Sequence, residues 1–327
     1  MSSTTHLIRE ERQSTGASVF RGRPPACTAY ATRHGRMLFG KSDEILSGPA
    51  LASLQGKVNL IFTSPPFPLN RKKKYGNEKG NEYIEWLCTF GPLFKKMLAP
   101  DGSIVIEVGN SWEPGLPVMS TLAMRSLLEF QERNDLYLCQ EFVWQNPAKL
   151  PSPAQWVNVE RIRVKDSFTK LWWLSPVSKP KASNNRVLLE YSTAMKDLLK
   201  RGSYNAGKRP SEHDISEKAF LRDNGGSIPS NVLTYANTHS SGEAYLAYCK
   251  EHGYELHPAR MPSELAKFFI RFLTEPGDLV LDPFGGSNTT GAAAEELQRC
   301  WLSIEAKEDY IWGSKGRFGD RITLDFT

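Results

Sequence analysis

The sequence contains few cysteines, and its hydrophobic residues form no long run. The five cysteines are scattered and no two form a C-x-x-C pair, which excludes a disulfide framework and a cysteine-based zinc site. No apolar run approaches the roughly 18 residues of a membrane span, and no signal-peptide pattern opens the chain. We therefore expect a cytoplasmic protein with reduced thiols and no membrane partner. Four histidines lack metal-ligand spacing, so we assign no metal site to His213, His239, His252 and His257.

Charge of either sign is also limited. The chain carries 41 Lys and Arg against 36 Asp and Glu, a formal net charge of +5 with a pI near 8.8. This mild excess is compatible with a polyanionic partner and does not prove one. At 327 residues, 40% of them hydrophobic and 24% charged, the chain can form one large α/β domain and a smaller one.

The most informative stretch is Ser64, Pro65, Pro66 and Phe67, which follows a predicted buried strand over residues 58–63. Each proline lacks an N–H, fixes its own φ at about −65° and pushes the preceding residue out of the helical region. The chain therefore leaves the strand extended, with the Ser64 hydroxyl and backbone carbonyls facing outward beside an aromatic ring. Such a platform suits a planar ligand with an amino group. A proline-stiffened loop without a ligand is the alternative.

A second motif lies far down the chain, where residues 279–294 read as strand, glycine turn and helix. Small residues let the backbone approach a ligand, and the helix start offers free N–H groups. The turn differs from the dinucleotide fingerprint and from the phosphate-binding loop that contains lysine. The turn residues of interest are Asp282, Pro283, Phe284, Gly285, Gly286, Ser287 and Thr289. The next predicted strand, 300–305, ends in Glu305, at the position where doubly wound sheets hold a ribose. Taken without its neighbours, Glu305 is better interpreted as a solvated strand end.

Strands and helices alternate along the chain. This pattern predicts an α/β fold with a doubly wound, mostly parallel sheet that binds ligands at the carboxyl ends of its strands. Besides the motif strands, we predict strands over 103–108, 137–145 and 169–174, and helices over 83–98, 120–133 and 262–272.

Together the two motifs resemble those of the DNA amino-methyltransferases, which use S-adenosylmethionine to methylate an exocyclic amine of a base. The catalytic motif precedes the cofactor motif here, with a long insert between them, which is the circularly permuted β-class order. Residues 168–175 also look like this class, and the resemblance spans roughly residues 35–312 apart from the insert. It implies the fold of the S-adenosylmethionine-dependent methyltransferases with a smaller inserted target-recognition region, S-adenosylmethionine as cofactor and double-stranded DNA as partner.

The resemblance also implies roles for individual residues. Residues 64–67 would be the catalytic motif, the turn at 282–289 the cofactor loop, and Glu305 the ribose-binding acid. Residues 257–262 look like the segment that begins a helix near the methionine moiety of the cofactor. This similarity adds two further cofactor-binding candidates, Pro262 and Ser263.

Two positions depart from the family pattern. Lys41 stands where an acid is more usual, so Asp43 or Ser42 is expected to contact the cofactor adenosine instead, and we select Asp43. Asn288 replaces a frequent glycine. Because Asn tolerates left-handed backbone, we expect the turn to survive.

A leading serine in the catalytic motif is typical of N4-cytosine enzymes, whereas Asp or Asn is commoner in N6-adenine enzymes. The whole chain is similar to one restriction–modification enzyme of this class, which implies the site CAGCTG methylated on the inner cytosine. An N6-adenine enzyme is the nearest alternative, because both amines need the same acceptors. A DNA-binding protein without activity would need no cofactor turn, and a nicotinamide enzyme would leave residues 64–67 unexplained. RNA or a protein amide is a further possible substrate, although the large insert fits duplex DNA better.

The chemistry of a cytosine amine suggests the mechanism. Its lone pair is delocalised into the ring, so Ser64 and nearby carbonyls would accept both amino hydrogens and localise that lone pair for direct in-line transfer. The base must leave the duplex, at a cost of about a few kcal/mol, and Phe67 would stack on it. Glu107 is the candidate proton acceptor, since its strand is expected to neighbour the Ser64 strand. A purely structural hydrogen-bonding role for Glu107 is the alternative.

Composition divides the chain into four regions. Residues 1–33 are polar and of mixed charge, and are predicted to be a flexible arm. Residues 34–177 would be the catalytic half of the core and residues 256–327 the cofactor-binding half. Residues 178–255, which are rich in Asn, Ser, Gly, Lys and Arg, would recognise the target on DNA, with the protein acting as a monomer.

The candidate DNA-binding residues lie in two places. A basic loop follows the catalytic motif and could clamp phosphates with Arg71, Lys72, Lys73 and Lys74. The insert offers donors for base edges and phosphates in Asn184, Asn185, Arg186, Lys208 and Arg209. For any one of these residues, simple solvation is the alternative.

Overall fold

The fold is built on one large sheet. The computed structural model describes residues 26–67, 80–205 and 242–325, together with 207, 208, 210, 214–216, 218 and 220–237. The described strands are β1 (Cys27–Thr32), β2 (Gly35–Phe39), β3 (Val58–Thr63), β4 (Leu98–Val108), β5 (Tyr137–Gln145), β6 (Phe168–Ser175), β7 (Gly207–Lys208), β8 (Asp214–Ile215), β9 (Val232–Thr234), β10 (Leu279–Asp282), β11 (Cys300–Glu305) and β12 (Ile322–Asp325).

Helices connect and cover these strands. They are α1 (Ser42–Ser47), α2 (Gly80–Met97), α3 (Leu122–Arg133), α4 (Thr193–Arg201), α5 (Glu243–His252), α6 (Ser263–Leu273), α7 (Thr289–Glu296) and α8 (Glu308–Ser314). Short 3-10 turns add Pro49–Leu54, Asn184–Val187, Lys315–Arg317 and Gly319–Arg321, and a π-helical turn spans Gln155–Val159.

The ten-stranded sheet has the order β12-β1-β2-β11-β10-β3-β4-β6-β5-β9. The central run from β2 to β4 is parallel, and antiparallel strands flank it on both sides. The predicted doubly wound, mostly parallel sheet is therefore confirmed. Because β10 is paired with β11 on one side and with β3 on the other, the two sequence motifs end at the same edge of the sheet.

Each face of the sheet has its own hydrophobic core, because side chains alternate along β3. Ile61 packs with α2 and α3 on one face, whereas Leu60 and Phe62 pack with α6 and α7 on the other. Helix α7 is buried from Thr289 to Glu295. Because its side chains are mostly small, with three consecutive alanines, the helix lies close to β10 and β11.

Two predicted boundaries need correction. The flexible arm cannot extend to residue 33, since β1 pairs with β2 and buries Ala29 and Tyr30 completely. The insert at 178–255 is not separate from the core either: β9 pairs with β5 in the main sheet, and α5 packs on α8 and the 3-10 turn Lys315–Arg317. The sequence did not predict β9 or α5, because β9 spans only three residues and α5 is a short helix in a segment of weak periodicity.

Candidate active site

A cleft of about 830 Å³ opens at the carboxyl ends of β10, β3 and β4, which is the size of a pocket for a small organic ligand. Both sequence motifs line it. Of the predicted residues, the lining includes Asp43, Ser64, Pro65, Pro66, Phe67, Glu107, Asp282, Pro283, Phe284, Gly285, Gly286, Ser287, Thr289 and Glu305. Pro262 and Ser263 follow Met261, which lines the cleft, and Pro262 is the N-cap residue of α6.

Ser64 and Glu107 meet across neighbouring strands. Thr63 of β3 is in register with Ile106 of β4, so the residues that follow them emerge side by side. The Ser64 hydroxyl donates to the Glu107 carboxylate, and Thr169 Oγ1 donates to Glu107 Oε1 at 3.2 Å. Burial raises the pKa of Glu107, which is only 4% exposed, above its ordinary value. A buried carboxylate with an elevated pKa beside a hydroxyl is suited to receiving a proton.

Phe67 is held by a close backbone contact that the sequence did not reveal. A Cβ on Gly109, just beyond β4, would lie 2.6 Å from Cε2 of Phe67. Glycine at 109 therefore lets the ring lie flat against the backbone at the end of β4. This contact fixes the ring at the wall of the cleft.

Asp282 joins the two motifs. Its Oδ1 accepts from Thr63 Oγ1 at 2.8 Å and from the Phe284 N–H at 3.1 Å, and its Oδ2 accepts from Thr290 Oγ1 at 2.7 Å. Burial nevertheless raises its pKa from 3.8 to about 6. The carboxylate thus orients the strand ends and carries a desolvation cost that its neighbours offset only in part.

We expect Asp282→Asn to change how stability depends on pH. Because the folded-state pKa of Asp282 is raised, the native protein binds this proton more tightly than the unfolded chain, so wild-type stability falls as pH rises from about 4 through about 6, by up to about 3 kcal/mol. Asn removes that dependence, and the Thr290 hydroxyl can rotate to accept from the new amide. The melting temperature of the variant should therefore improve relative to wild type as pH rises.

Glu141→Gln is the control for this experiment. Its ion pair with Lys170 lowers the pKa of Glu141, so its stabilisation is lost as pH falls, and the difference from wild type should have the opposite pH trend. If the melting temperatures of wild type and Asp282→Asn differed by the same amount at every pH between about 4 and about 6, Asp282 would not be a buried acid with a raised pKa.

The turn at residues 282–289, which we call the cofactor turn after its predicted role, has a left-handed backbone at two positions. Gly286 has a φ of +50°, and a Cβ there would lie 2.9 Å from His257 Nε2. Asn288 has a φ of 52° and a ψ of 43°, which confirms that Asn can replace glycine in this turn. Its Oδ1 accepts from the Gly291 N–H and from Ser303 Oγ, and its Nδ2 donates to the Tyr30 hydroxyl. The Asn288 side chain therefore caps the amino end of α7 and connects the turn to β11 and β1 by hydrogen bonds.

Glu305 shapes the other side of the turn. Its Oε2 accepts from the Gly286 N–H at 2.8 Å, and its Oε1 accepts from the backbone N–H groups of Ala306 and Lys307. Burial raises the pKa of Glu305, while these three donors favour its charged form. The carboxylate is thus held rigidly at the cleft, with lone pairs left to accept from a hydroxyl-bearing ligand.

Ser42 and Asp43 both line the cleft in the first turn of α1. Ser42 Oγ donates to the Pro283 carbonyl and so supports the turn, and contact of Asp43 with the cofactor stays a prediction. Lys41 pairs with Glu44 at 3.2 Å on the exposed side of the same helix.

Sequence reasoning missed an aromatic wall. The Phe284 ring contacts Trp86 and Phe90 of α2, with centroids 5.6 and 5.1 Å apart, and Tyr83 lines the same cleft. Among the described residues, the buried Tyr83 hydroxyl has no hydrogen-bond partner. These α2 positions read only as a helix core in the sequence, because nothing local marks which turn of the helix faces a ligand.

Arg317 was also missed. Its guanidinium donates to the Ser287 carbonyl at 2.6 Å and to Ser287 Oγ at 3.1 Å, and it lies 4.9 Å from the centre of the Tyr245 ring. Burial lowers the pKa of Arg317 to about 10, which leaves it charged at neutral pH. It therefore braces the cofactor turn from behind, from a 3-10 turn that carries no motif.

Three predicted DNA-binding residues lie away from the cleft. Asn184, Asn185 and Arg186 sit beside the carboxyl end of α6, whereas the amino end of α6 is at the cleft, about 16 Å away for a helix of 11 residues. Arg186 donates to the carbonyls of Arg271 and Phe272 and pairs with Glu275. Arg186 therefore closes the carboxyl end of α6, and Asn184 and Asn185 lie beside it in exposed positions. Contact of these three residues with DNA stays a prediction.

The other candidates for DNA contact are only partly described. Lys208 is exposed in β7, which pairs with β8 as a small ribbon. Arg71, Lys72, Lys73, Lys74 and Arg209 lie outside the described residues. Among the residues that the structure describes, no group of His, Cys, Asp and Glu is placed to hold a metal ion, and no helix is long and apolar enough to cross a membrane.

Comparison with known proteins agrees with this geometry. The family described as DNA methylase, which covers N6 and N4 enzymes, matches residues 58–315. This chain belongs to that DNA methylase family. The type II methyltransferase M.PvuII of Proteus hauseri is 46% identical over 294 residues, which cover 89% of this chain and 86% of that protein.

Solved structures show the same relationship. The PvuII DNA methyltransferase, described as cytosine-N4-specific, superposes with a TM-score of 0.71 at 39% identity and covers 91% of this methylase and 90% of that chain. The complex of M1.HpyAVI with S-adenosylmethionine shares the fold, with a TM-score of 0.50 at 21% identity, covering 87% of this chain and 99% of that one.

The cleft of this methylase fits such a cofactor. Gly286 leaves room where any Cβ would collide with His257, and Glu305 offers carboxylate lone pairs. The Tyr83 hydroxyl, which has no hydrogen-bond partner among the described residues, lies beside the aromatic wall. Burial lowers the pKa of His257 to about 4, so it is neutral at pH 7 and does not repel a cationic ligand. The residues that would hold the cofactor are those of the turn, Glu305, Asp43 and the α2 wall.

Proposed function

We propose that this DNA methylase modifies N4 of cytosine in duplex DNA, using S-adenosylmethionine. The observation that carries this proposal is the contact between Ser64 and the buried Glu107, which lies across the cleft from the cofactor turn. Similarity to M.PvuII supports the cytosine N4 assignment, and with it the site CAGCTG, the inner cytosine as target and a role beside a restriction enzyme in the cytoplasm. We further propose that the protein acts as a monomer, with residues in 178–255, Lys208 among them, contributing to recognition of the target.

The residues of this chain divide the work as follows. When bound, S-adenosylmethionine supplies an electrophilic methyl group on a positively charged sulfur. The Ser64 hydroxyl donates a hydrogen bond to the ionised Glu107, which leaves the Ser64 oxygen lone pairs free to accept from the cytosine amine. Backbone carbonyls of the proline-containing segment accept the second amino hydrogen, and Phe67 stacks on the base. The proton that the amine loses can then pass to Glu107.

Glu107→Gln should lower kcat by about 10²-fold and remove the acidic limb of the pH–rate profile. The base must be ionised to accept a proton, so wild-type kcat falls as pH falls through the pKa of Glu107, which burial has raised above its usual range. The amide keeps the hydrogen bonds to Ser64 and Thr169 but cannot take the proton. Single-turnover rates measured across pH would show the change.

Glu141→Gln again serves as the control, because Glu141 lies on β5 and pairs with Lys170 away from the Ser64 contact. It should retain wild-type kcat. A Glu107→Gln enzyme with an unchanged acidic limb would assign Glu107 to a structural role only.

A second candidate, N6 methylation of adenine, has one observation in its favour. The DNA adenine methyltransferase YhdJ of Escherichia coli is 26% identical over 278 residues, which cover 82% of this chain. Ser64 as the first residue of the catalytic motif argues for cytosine.

Transfer of label from tritiated S-adenosylmethionine to duplex DNA, followed by nucleoside analysis, tests the proposal. A duplex containing CAGCTG should yield N4-methylcytosine, and a duplex with the same composition in scrambled order should yield none. Label in N6-methyladenine would keep the fold and overturn the cytosine assignment. Cofactor binding without label in either duplex would exclude DNA of this sequence as substrate.

A further inference from the structure

A loop between β5 and β6 borders the cleft and has so far no role. Lys149 at its start and Ser167 and Phe168 at its end line the cleft. Its two limbs are joined by hydrogen bonds from the Asn146 N–H to the Ser167 carbonyl at 2.8 Å and from the Asp166 N–H to the Ser152 carbonyl at 2.9 Å. We call residues 147–168 the cleft loop. These backbone hydrogen bonds hold the cleft loop in a defined shape.

The cleft loop exposes large apolar side chains. Leu150 is 80% exposed and Val164 is 88% exposed, and they stand on opposite limbs of the cross-linked loop. Val159 adds a third at 69%. A partner that covers such side chains is bound more favourably, because their apolar area is then removed from water.

The charges of the cleft loop indicate the partner. Arg161, Arg163 and Lys165 are exposed. Arg163 donates to the Pro117 carbonyl, and Lys165 donates to the carbonyls of Pro147 and Lys149, groups that carry no formal charge. The acids are engaged locally: Asp166 pairs with Lys149, and Glu160 accepts from Gln155. Positive charge therefore stands beside apolar side chains, which suits phosphates next to base surfaces.

We propose that the cleft loop binds duplex DNA at the target site and that Leu150 and Val164 occupy the space left by the extruded base. This inference rests on the proposed DNA substrate. The cations contact phosphates on either side, and the apolar pair packs against the bases that remain stacked, which stabilises the open form of the duplex. The loop reaches the cleft that holds Ser64 and Phe67 through Lys149, Ser167 and Phe168, so the apolar pair stands a few residues along the chain from that lining.

The test is a double variant, Leu150→Ser with Val164→Ser, assayed on two duplexes. One is the paired CAGCTG duplex, and the other carries an abasic site opposite the target cytosine, which is then already unpaired. We expect kcat/KM on the paired duplex to fall about tenfold or more, and activity on the abasic duplex to stay near wild type. The control is Leu128→Ser with Leu324→Ser, two side chains with 48% and 47% exposure outside the cleft loop. It should match wild type on both duplexes.

A fluorescence measurement makes the result independent of activity. A duplex with a fluorescent cytosine analogue at the target should brighten on binding wild type and brighten less with the loop variant, although anisotropy shows that both bind. Equal brightening and equal activity would overturn the proposal, and so would an equal loss of activity on both duplexes, which would mean a structural role. If wild type brightens the probe but methylates neither duplex, the proposed function fails while the wedge stands.

The same surface could instead join two copies of this chain. Sedimentation would then show a dimer for wild type and a monomer for the loop variant, with activity on the paired duplex unchanged. That result would overturn the DNA assignment of the cleft loop.

Discussion

Replacing Ser64 by alanine is expected to reduce methyl transfer by about 10²- to 10³-fold without weakening cofactor binding. The serine oxygen is the side-chain acceptor that follows β3, and its hydrogen bond to Glu107 leaves its lone pairs facing the cleft. Alanine removes the acceptor that localises the amine lone pair, so the loss should appear in kcat. Single-turnover methylation of the CAGCTG duplex, with cofactor affinity from calorimetry, separates the two effects.

The same variant makes a pH prediction. The Ser64 hydrogen bond lowers the pKa of Glu107, so its removal should raise that pKa further and move the acidic limb of the residual activity to higher pH. Thr323→Ala, at an exposed hydroxyl on β12 outside the cleft, is the control and should stay within about twofold of wild type. If Ser64→Ala retained a third of the wild-type rate, Ser64 would not be the acceptor of the amine.

Gly286→Ala should weaken S-adenosylmethionine binding by about 10- to 100-fold, because two costs of about 1 kcal/mol or more coincide there. The backbone has a φ of +50°, which L residues other than Asn and Asp rarely adopt, and the new Cβ would meet His257 Nε2 at 2.9 Å. His257 cannot easily move, because its Nδ1 is bonded to the Ala259 carbonyl and its ring packs edge-on to Tyr310 at 4.7 Å. Calorimetric titration with the cofactor, beside a melting curve of the free protein, would measure the loss.

Gly285→Ala provides the comparison. Its Cβ would meet no atom closer than 3.2 Å, so the expected loss of affinity is smaller. Adding His257→Ala to Gly286→Ala removes the collision and leaves only the backbone strain, so partial recovery of affinity would assign the remainder to φ. Affinity within twofold of wild type for Gly286→Ala alone would show that the cofactor does not rely on this turn.

The parts of the site that could be predicted are those whose chemistry is local in sequence. Proline at 65 and 66 and glycine at 285 and 286 indicate the backbone conformation of residues 64–67 and 282–289. The left-handed Asn288 was predictable too, because Asn tolerates that conformation. Glu107 required one further step, the adjacency of β3 and β4, which alternating strands and helices made reasonable.

The parts that could not be predicted depend on contacts between distant segments. Arg317 reaches Ser287 from a turn without a motif, and Phe67 needs Gly109 from the next strand. The sequence also did not reveal that Arg186 closes the carboxyl end of α6, because that contact depends on how its 3-10 turn packs on the helix. The cleft loop was not predicted because its irregular sequence has neither a motif nor a helix or strand periodicity.

The sequence by itself determined the class of chemistry, since an acceptor serine in a proline-stiffened segment and a glycine turn before a helix each have few uses. It also determined the doubly wound sheet, because buried strands and amphipathic helices alternate along the chain and each has a recognisable hydrophobic period. Only the tertiary structure decided which side chains share the cleft. Hydrogen bonds such as Thr63 to Asp282 span more than 200 positions, and no local pattern encodes a distance between residues so far apart along the chain.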